Sequence, residues 1–358
     1  MDACSFHILV INPGSTSTKV GIYRNDEPVH VQTYRHTREE LAQYPSILDQ
    51  LEWRERLVRE TLLESGFSME DFHAIAARGG RIKGVSSGTY RVNQLMLEHA
   101  RMGLQGEHAS SLACIIAARL AEPYRIPAYV VDPVTVDELT DIARISGLKE
   151  IPRTSLSHAL NMKAVARKAA VHLGIDYRDA RFIVAHMGGG GSVSAHAGGR
   201  MIDLYNSDKE GPFTSERAGG IPTLELVDLC FSGKYTKESI VRKLVGGGGL
   251  VSYLGTTDAV ILEERVRAGD TQTRLILEAM AYQFAKYIGA LAAVLEGDVH
   301  AVVLTGGMAH SELIVQWIRE RVRFIAPILL YPGECEMEAL ASGVLRVLTG
   351  EEEPRVYE

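Results

Sequence analysis

The sequence predicts an α/β protein of two domains with a duplicated layout, and three observations predict it. The chain has 358 residues, more than a single core of usual size organises. Strand-like apolar runs alternate with helical patterns along nearly the whole length, which is the α/β signature. Each half also presents the same order of signals: a short apolar strand, a tip of small residues and a returning strand.

The elements follow in order. Residues 7–23 read as a β-hairpin, with the apolar run 8–11, a turn at Asn12-Pro13-Gly14 and a β-rich return. A third strand is expected at 29–34 and a charged helix at about 47–64. Strand 74–77 runs into Arg78-Gly79-Gly80-Arg81, and a helix near 108–121 leads to strand 128–131, which ends at Asp132-Pro133. A long helix over about 157–172 is preceded by Thr154, Ser155 and Ser157, the hydroxyls of an N-cap, and it is the expected crossing into the second half. There the theme repeats. Strand 182–186 meets Gly188-Gly189-Gly190-Gly191-Ser192, and a second hairpin, 193–196 with 201–204, turns at Ala197-Gly198-Gly199. Helices fill about 223–296. Strand 301–304 ends at Thr305-Gly306-Gly307-Met308. The duplication sets the expected domains at 1–155 and 156–358, with the last helix, about 337–348, a candidate to pack back on the first.

Composition narrows the classes of function. The chain is 46% hydrophobic and 23% charged, ordinary values for a globular enzyme. A net charge of −7 argues against a nucleic-acid binder, which would show a basic stripe. It leaves room for an anionic small ligand, which needs only a few local cations. The opening 25 residues hold no apolar run of signal-peptide length, and the longest apolar stretch, 288–295, is too short to span a membrane. Cys4, Cys114, Cys230 and Cys335 lack the spacing of a zinc or disulfide framework. A reduced cytoplasmic setting is expected.

Three small-residue tips each follow an apolar strand: 12–19, 188–192 and 305–308. Strand ends are where α/β folds place ligands. Backbone N–H groups, hydroxyls and the ammonium of Lys19 suit a phosphate. No P-loop and no Rossmann fingerprint opens a βαβ unit, so a nucleotide would be held by other means.

The motifs themselves resemble a known family. Asn12-Pro13-Gly14-Ser15-Thr16-Ser17-Thr18-Lys19 is similar to the Asn-x-Gly-Ser-Ser-Ser-x-Lys signature of the acetokinase family. His186-Met187-Gly188-Gly189-Gly190-Gly191-Ser192 is similar to its His-Leu-Gly-x-Gly-Ser, and Glu216-Arg217-Ala218-Gly219-Gly220 to its Thr-Arg-x-Gly segment. Ala77-Arg78-Gly79-Gly80-Arg81, Gly106-Glu107-His108 and the run from Tyr331 to Leu340 are similar to the butyrate kinase branch of that family. The resemblance runs in order through the whole chain. It implies two duplicated ribonuclease-H-like domains with a central nucleotide cleft, the actin-like ATPase architecture. It also implies ATP and Mg²⁺, a short-chain carboxylate acceptor, no nucleic acid or membrane partner, and a homodimer or higher homo-oligomer.

The chemistry agrees with that implication. A carboxylic acid of pKa near 4.3 is already ionised at pH 7, so it needs no general base. Catalysis then rests on positioning and on cations aimed at the transferring phosphoryl group. By resemblance, Arg217 meets transition-state charge and Asn12 lies near the metal-bound phosphates. Asp132 orients the metal or its water, and Glu336 holds Mg²⁺, with Glu334 and Glu338 close enough to confuse the register. His108 is similar to a His of the substrate cleft. His186 points at the glycine tip, and His158 reads as a helix cap. Arg78 is the candidate for the substrate carboxylate, with Arg81 the fallback. Ser15, Ser17 and Lys19, alternating along the hairpin, join Gly188, Gly189, Gly190, Gly306 and Gly307 as the expected nucleotide cradle. Two departures stand out. Thr154 occupies a position where acetate-specific members carry His, and Gly189 one where they carry Asn; the family's transition-state grip is therefore not carried over intact, and a reshaped substrate pocket would fit a longer acyl chain. The expected reaction is butyrate + ATP = butanoyl phosphate + ADP. The rivals are the same chemistry on acetate, propionate or isobutyrate, a hydroxyl-acceptor sugar kinase with Asp132 as base, and a non-catalytic ATP-switched binding protein.

Overall fold

A computed structural model describes residues 5–358, so Cys4 lies outside the described residues. The chain divides into two compact units. One runs from the described N-terminal residues to Asp137 and takes in Cys335–Glu358; the other is Glu138–Glu334. The first division thus falls ahead of the 155/156 boundary expected from the duplication.

The first unit is built on a six-stranded sheet. Its strands are β1 His7–Pro13, β2 Ser17–Arg24, β3 Glu27–Arg35, β4 Ala74–Arg78, β5 Thr89–Arg91 and β6 Ala128–Val131, in the order β3-β2-β1-β4-β6-β5. Ile8, Leu9, Val10 and Ile11 are all buried, as a continuous apolar run should be in a central strand covered on both faces. β1 pairs antiparallel with β2 and parallel with β4. Helix Leu112–Ala121 packs on the sheet through a run of Leu, Ile and Ala. The final helix, Glu336–Leu348, also belongs to this unit and packs against β1, β4 and β6. Gly343 makes that approach possible: a Cβ there would fall 2.4 Å from Val131 Cγ1.

The second unit repeats the plan. β7 Phe182–Met187, β8 Gly191–Ala197, β9 Arg200–Asn206, β10 Ala301–Gly306 and β11 Ile328–Pro332 form a sheet in the order β11-β10-β7-β8-β9. As in the first unit, the opening strand is antiparallel to the strand after it and parallel to the fourth strand of the set. Helix Thr271–Val294 fills the core against β7 and β8. Helix Ala159–Leu173, expected as the crossing, packs within this unit on β7 and β10. Helix Thr223–Phe231 buries none of its side chains. No helix among the described residues is long and apolar enough to cross a membrane.

Candidate functional site

In the first unit the hairpin tip is closed by Gly14 N–H donating to Ser17 O at 2.7 Å. Asn12 and Lys19 are paired across the two strands, so they share a face with Ser17, while Thr18 is buried on the opposite face. Ser15 stands exposed in the turn itself, 3.3 Å from His108 Nε2. The backbone N–H of Ser110 donates to His108 Nδ1 at 3.1 Å, which leaves the ring proton on Nε2, facing Ser15. Burial, and then the charges of Arg78, Arg81 and Arg54, push the His108 pKa down to about 4. His108 is therefore a neutral donor at pH 7, in a positive local field.

The buried end of β1 carries a closed cluster. Asn12 Nδ2 donates to Glu336 Oε2 at 2.9 Å, Arg78 Nη1 donates to Asn12 Oδ1 at 3.2 Å, and Arg78 Nη2 lies 3.0 Å from Glu336 Oε1. Burial separates the three candidate glutamates. Glu336 is 6% exposed at the first turn of its helix, whereas Glu334 and Glu338 are exposed. Arg81 points elsewhere, its Nη1 reaching Gln105 O.

Asp132 is buried at the end of β6 with φ +37°, a conformation uncommon outside Gly, Asn and Asp. Its Oδ1 accepts from Ser87 Oγ at 2.6 Å and from Gly88 N–H at 2.8 Å. The carboxylate is thus fixed in place by the loop before β5.

In the second unit the turn between β7 and β8 is built from glycine for steric reasons. Thr214 Oγ1 donates to Gly189 O at 2.6 Å, and Ser207 N–H and Oγ both donate to Gly191 O. A Cβ on Gly191 would meet Thr214, Ser207 and Phe284 within 2.9 Å. A Cβ on Gly188 would lie 3.3 Å from His186 Nε2, and one on Gly190 3.3 Å from His158 Cε1. Both rings therefore lie directly against the loop. They stack, with centroids 4.0 Å apart and planes 8° from parallel.

His158 is not the expected cap: it occupies the N-cap position but its side chain makes no capping bond. Its Nδ1 meets Ser192 Oγ at 3.1 Å instead. Asn161 Nδ2 donates to His186 Nδ1 at 2.9 Å, which directs the Nε2 proton toward Glu334, whose Oε1 is 3.8 Å away. Arg217 Nε donates to Asp208 Oδ1 at 2.7 Å, and its Nη1 lies 3.6 Å from Glu216 Oε1. Gly306 has φ +90°, and a Cβ there would strike Met187 O at 2.3 Å. Beside Gly307 there is open space.

The structure therefore brings Asn12, Arg78 and Glu336 together in one unit. In the other it gathers His186, Gly188, Gly189 and Gly190. Sequence reasoning missed Asn161 and Asp208, the partners that aim His186 and Arg217, because a lone Asn in a helix and an Asp in a turn carry no distinctive pattern. It also missed Arg54.

The Acetokinase family profile matches residues 153–325. A protein described as "Probable butyrate kinase 2", from Caldanaerobacter subterraneus subsp. tengcongensis, is 51% identical over 352 residues, covering 98% of this chain and 99% of that one. The chain belongs to the acetokinase family. Among solved structures, an acetate kinase from Porphyromonas gingivalis superposes with a TM-score of 0.76 at 18% identity, covering 96% of this chain and all of that one. A propionate kinase from Francisella tularensis gives 0.77 at 18% identity, covering 94% of this chain and 98% of that one. The two duplicated α/β domains expected from the sequence are thus those of the actin-like ATPase architecture. Against the acetate-specific pattern of the family, both departures have a local explanation. A Cβ at Gly189 would fall 2.9 Å from Glu216 Oε1, so a side chain there needs Glu216 to move. Thr154 is engaged by Lys209, whose Nζ donates to its hydroxyl and, at 3.2 Å, to its carbonyl.

Proposed function

We propose that the chain transfers the γ-phosphoryl group of ATP to butyrate, giving butanoyl phosphate and ADP. As a member of the acetokinase family it is a phosphotransferase with a carboxyl group as acceptor. The observation that carries the geometric reading is the Asn12–Arg78–Glu336 cluster, a buried amide and carboxylate with a partly buried guanidinium at the end of a central strand. The near full-length likeness to the probable butyrate kinase supports butyrate as the acid.

Mg²⁺ belongs to this reading, and the cluster is compatible with it. Asn12 Oδ1 and Glu336 Oε1 are hard oxygen donors that already converge on one cationic group, the Arg78 guanidinium. Among the described residues no group of three or more His, Cys, Asp or Glu gathers, so Mg²⁺ would take one or two protein oxygens and complete its shell with phosphate and water. Bound there, it would screen the charge of the phosphates.

The remaining roles fall to the chain itself. The ionised acid attacks phosphorus along the line of the β,γ-bridging bond; a P–O bond forms to the carboxylate as the bridging bond breaks, and ADP leaves with the electron pair. No base is required, which suits an Asp132 held by two hydrogen bonds as an orienting group. Arg217 and the Nε2–H of His186 are the groups assigned to the charge that develops on the phosphoryl oxygens. In the first unit Ser15, Ser17 and Lys19 are the groups assigned to phosphate; in the second, Gly188, Gly189 and Gly190 are, and Gly306 and Gly307 leave room for the nucleoside. Self-association belongs to the same reading: Leu224, Val227 and Phe231 of helix Thr223–Phe231 are exposed, and light scattering of the purified chain tests it.

Hydroxamate trapping of acyl phosphate across acetate, propionate, butyrate, isobutyrate and valerate tests the reaction. Butyrate should give the highest kcat/KM. Since one methylene shifts preference by about 1–3 kcal/mol, a neighbouring acid at the top of the series would move the substrate, and no trapped product from any acid would overturn the reading.

A further inference from the structure

Arg54 is a residue to which the reaction as described gives no part. It sits in helix Leu51–Ser65 and is completely buried. Its Nε donates to Gln50 Oε1 at 3.0 Å, and its Nη1 donates to Ser17 O at 3.0 Å and to Thr18 Oγ1 at 2.9 Å. Trp53 covers one side, with the guanidinium carbon 5.6 Å from its ring. None of these partners is charged. Among the described residues no carboxylate pairs with Arg54, and Nη2 finds no partner. A buried charge without a counter-charge is costly, so a structural pin alone would be better made from a neutral side chain.

The place of the contact gives the charge a purpose. Ser17 O is the carbonyl that closes the hairpin tip, because it also accepts from Gly14 N–H at 2.7 Å. A carbonyl is the wrong polarity for a phosphate cradle. Two donors, Gly14 N–H and Arg54 Nη1, hold it, and Ser17 and Lys19 present the face shared with Asn12. The field of Arg54 also reaches past the hairpin: burial is the main cause that depresses His108 beside Ser15 and His36, whose Nε2 lies 2.8 Å from Thr18 Oγ1, and the Arg54 charge adds to it in both.

We propose that Arg54 is a positioning residue for the nucleotide phosphates, holding the Ser17 carbonyl out of the cradle and lending the hairpin tip a positive charge that no carboxylate among the described residues pairs with. This rests on the reading of the 12–19 hairpin as a phosphate cradle. The charge is matched only when the ligand's phosphates arrive, so the benefit grows with the number of phosphates bound.

The test is calorimetric binding of ATP, ADP and adenosine, each with Mg²⁺ at fixed ionic strength, to the full chain and to Arg54→Met and Arg54→Lys. The expected result is a graded loss in Arg54→Met: about tenfold or more for ATP, less for ADP and little for adenosine. Arg54→Lys should recover most of the ATP affinity. Equal loss for all three ligands would mean a purely structural pin and overturn the proposal, as would unchanged ATP binding. If Arg54→Met does not fold, Arg54→Lys decides. Kept charge predicts ATP affinity near that of the unmutated chain, and an equal loss of ATP and adenosine affinity in Arg54→Lys contradicts the proposal. Failure of acyl phosphate trapping alongside a normal phosphate gradient would remove the carboxylate acceptor and leave Arg54 its role. If the unmutated chain binds ATP no more tightly than adenosine, the cradle and this proposal fall together.

Discussion

Arg78 Nη2 lies 3.0 Å from Glu336 Oε1, so the guanidinium assigned to the substrate acid is already held by a carboxylate of the protein. Both side chains are largely buried, and the same guanidinium reaches Asn12. Cutting such a pair leaves a charge stranded, and the cost falls mainly on the survivor. Arg78→Gln should therefore lower stability by roughly 3 kcal/mol, and Mg²⁺ should restore part of it by replacing the lost cation at Glu336. Urea unfolding with and without Mg²⁺ measures this. A variant as stable as the unmutated chain, with no response to Mg²⁺, would sink the account. The same variant should raise KM for butyrate more than for ATP.

Arg217 is restrained by Asp208 and Glu216, and its proposed partner appears only as charge builds on the phosphoryl group. Arg217→Ala should cut kcat by about 10²–10³-fold with little change in ATP affinity. Steady-state kinetics paired with direct ATP binding separates the two. Near-normal turnover would remove Arg217 from the transition state.

Asp132 offers a test with a built-in folding control. Asn accepts the same two hydrogen bonds from Ser87 and Gly88 and tolerates φ +37°, so Asp132→Asn should unfold like the unmutated chain. Its turnover should be strongly reduced and partly rescued by raised Mg²⁺ or Mn²⁺, because an orienting group has been lost and no base is needed. Phosphorylation of sugars by the unmutated chain, with no acyl phosphate from any acid, would instead restore Asp132 as a base.

The depressed histidines set a pH window for stability. His108 is pushed down to about 4, against an ordinary value of 6.5, and burial also lowers His36 and His196. Between pH 6.5 and about 4 the unfolded chain takes up protons that the folded chain refuses. Stability should thus fall as pH drops through that range and should be fully present above it. His108→Gln should flatten part of this slope. Urea midpoints at pH 7.0 and 5.0 for both chains decide the matter; an equal pH effect in the two would exclude His108 as a source.

Much of the fold was legible because its signals are local. Ile8–Ile11, Ala74–Ala77 and Phe182–His186 are short apolar runs stopped by turn residues, and each became a buried strand within one or two residues of its expected ends. No element was assigned to 89–102, 312–322 or 328–332. β5 has only three residues, helix Gln94–Met102 buries only Met96 and Ala100, and β11 is an edge strand with a mixed burial pattern. Short length and weak burial leave weak periodicity in these; helix Glu312–Val322, by contrast, buries Ile314, Val315, Trp317, Ile318 and Val322, a helical pattern that the sequence does carry.

By itself the sequence determined the duplicated α/β plan, the three small-residue tips and the residue types that phosphoryl transfer to an acid requires, because turn chemistry and strand hydrophobicity act over a few neighbouring residues. Only the tertiary structure decided which groups meet. Packing of the last helix on β1, β4 and β6, through the contact allowed by Gly343, buried Glu336 against Asn12 and Arg78 and left Glu338 exposed. Packing likewise laid His158 on His186 and carried the Arg54 charge beneath the hairpin. Such partners lie far apart in the chain, and their meeting depends on how whole elements pack, which no local pattern encodes.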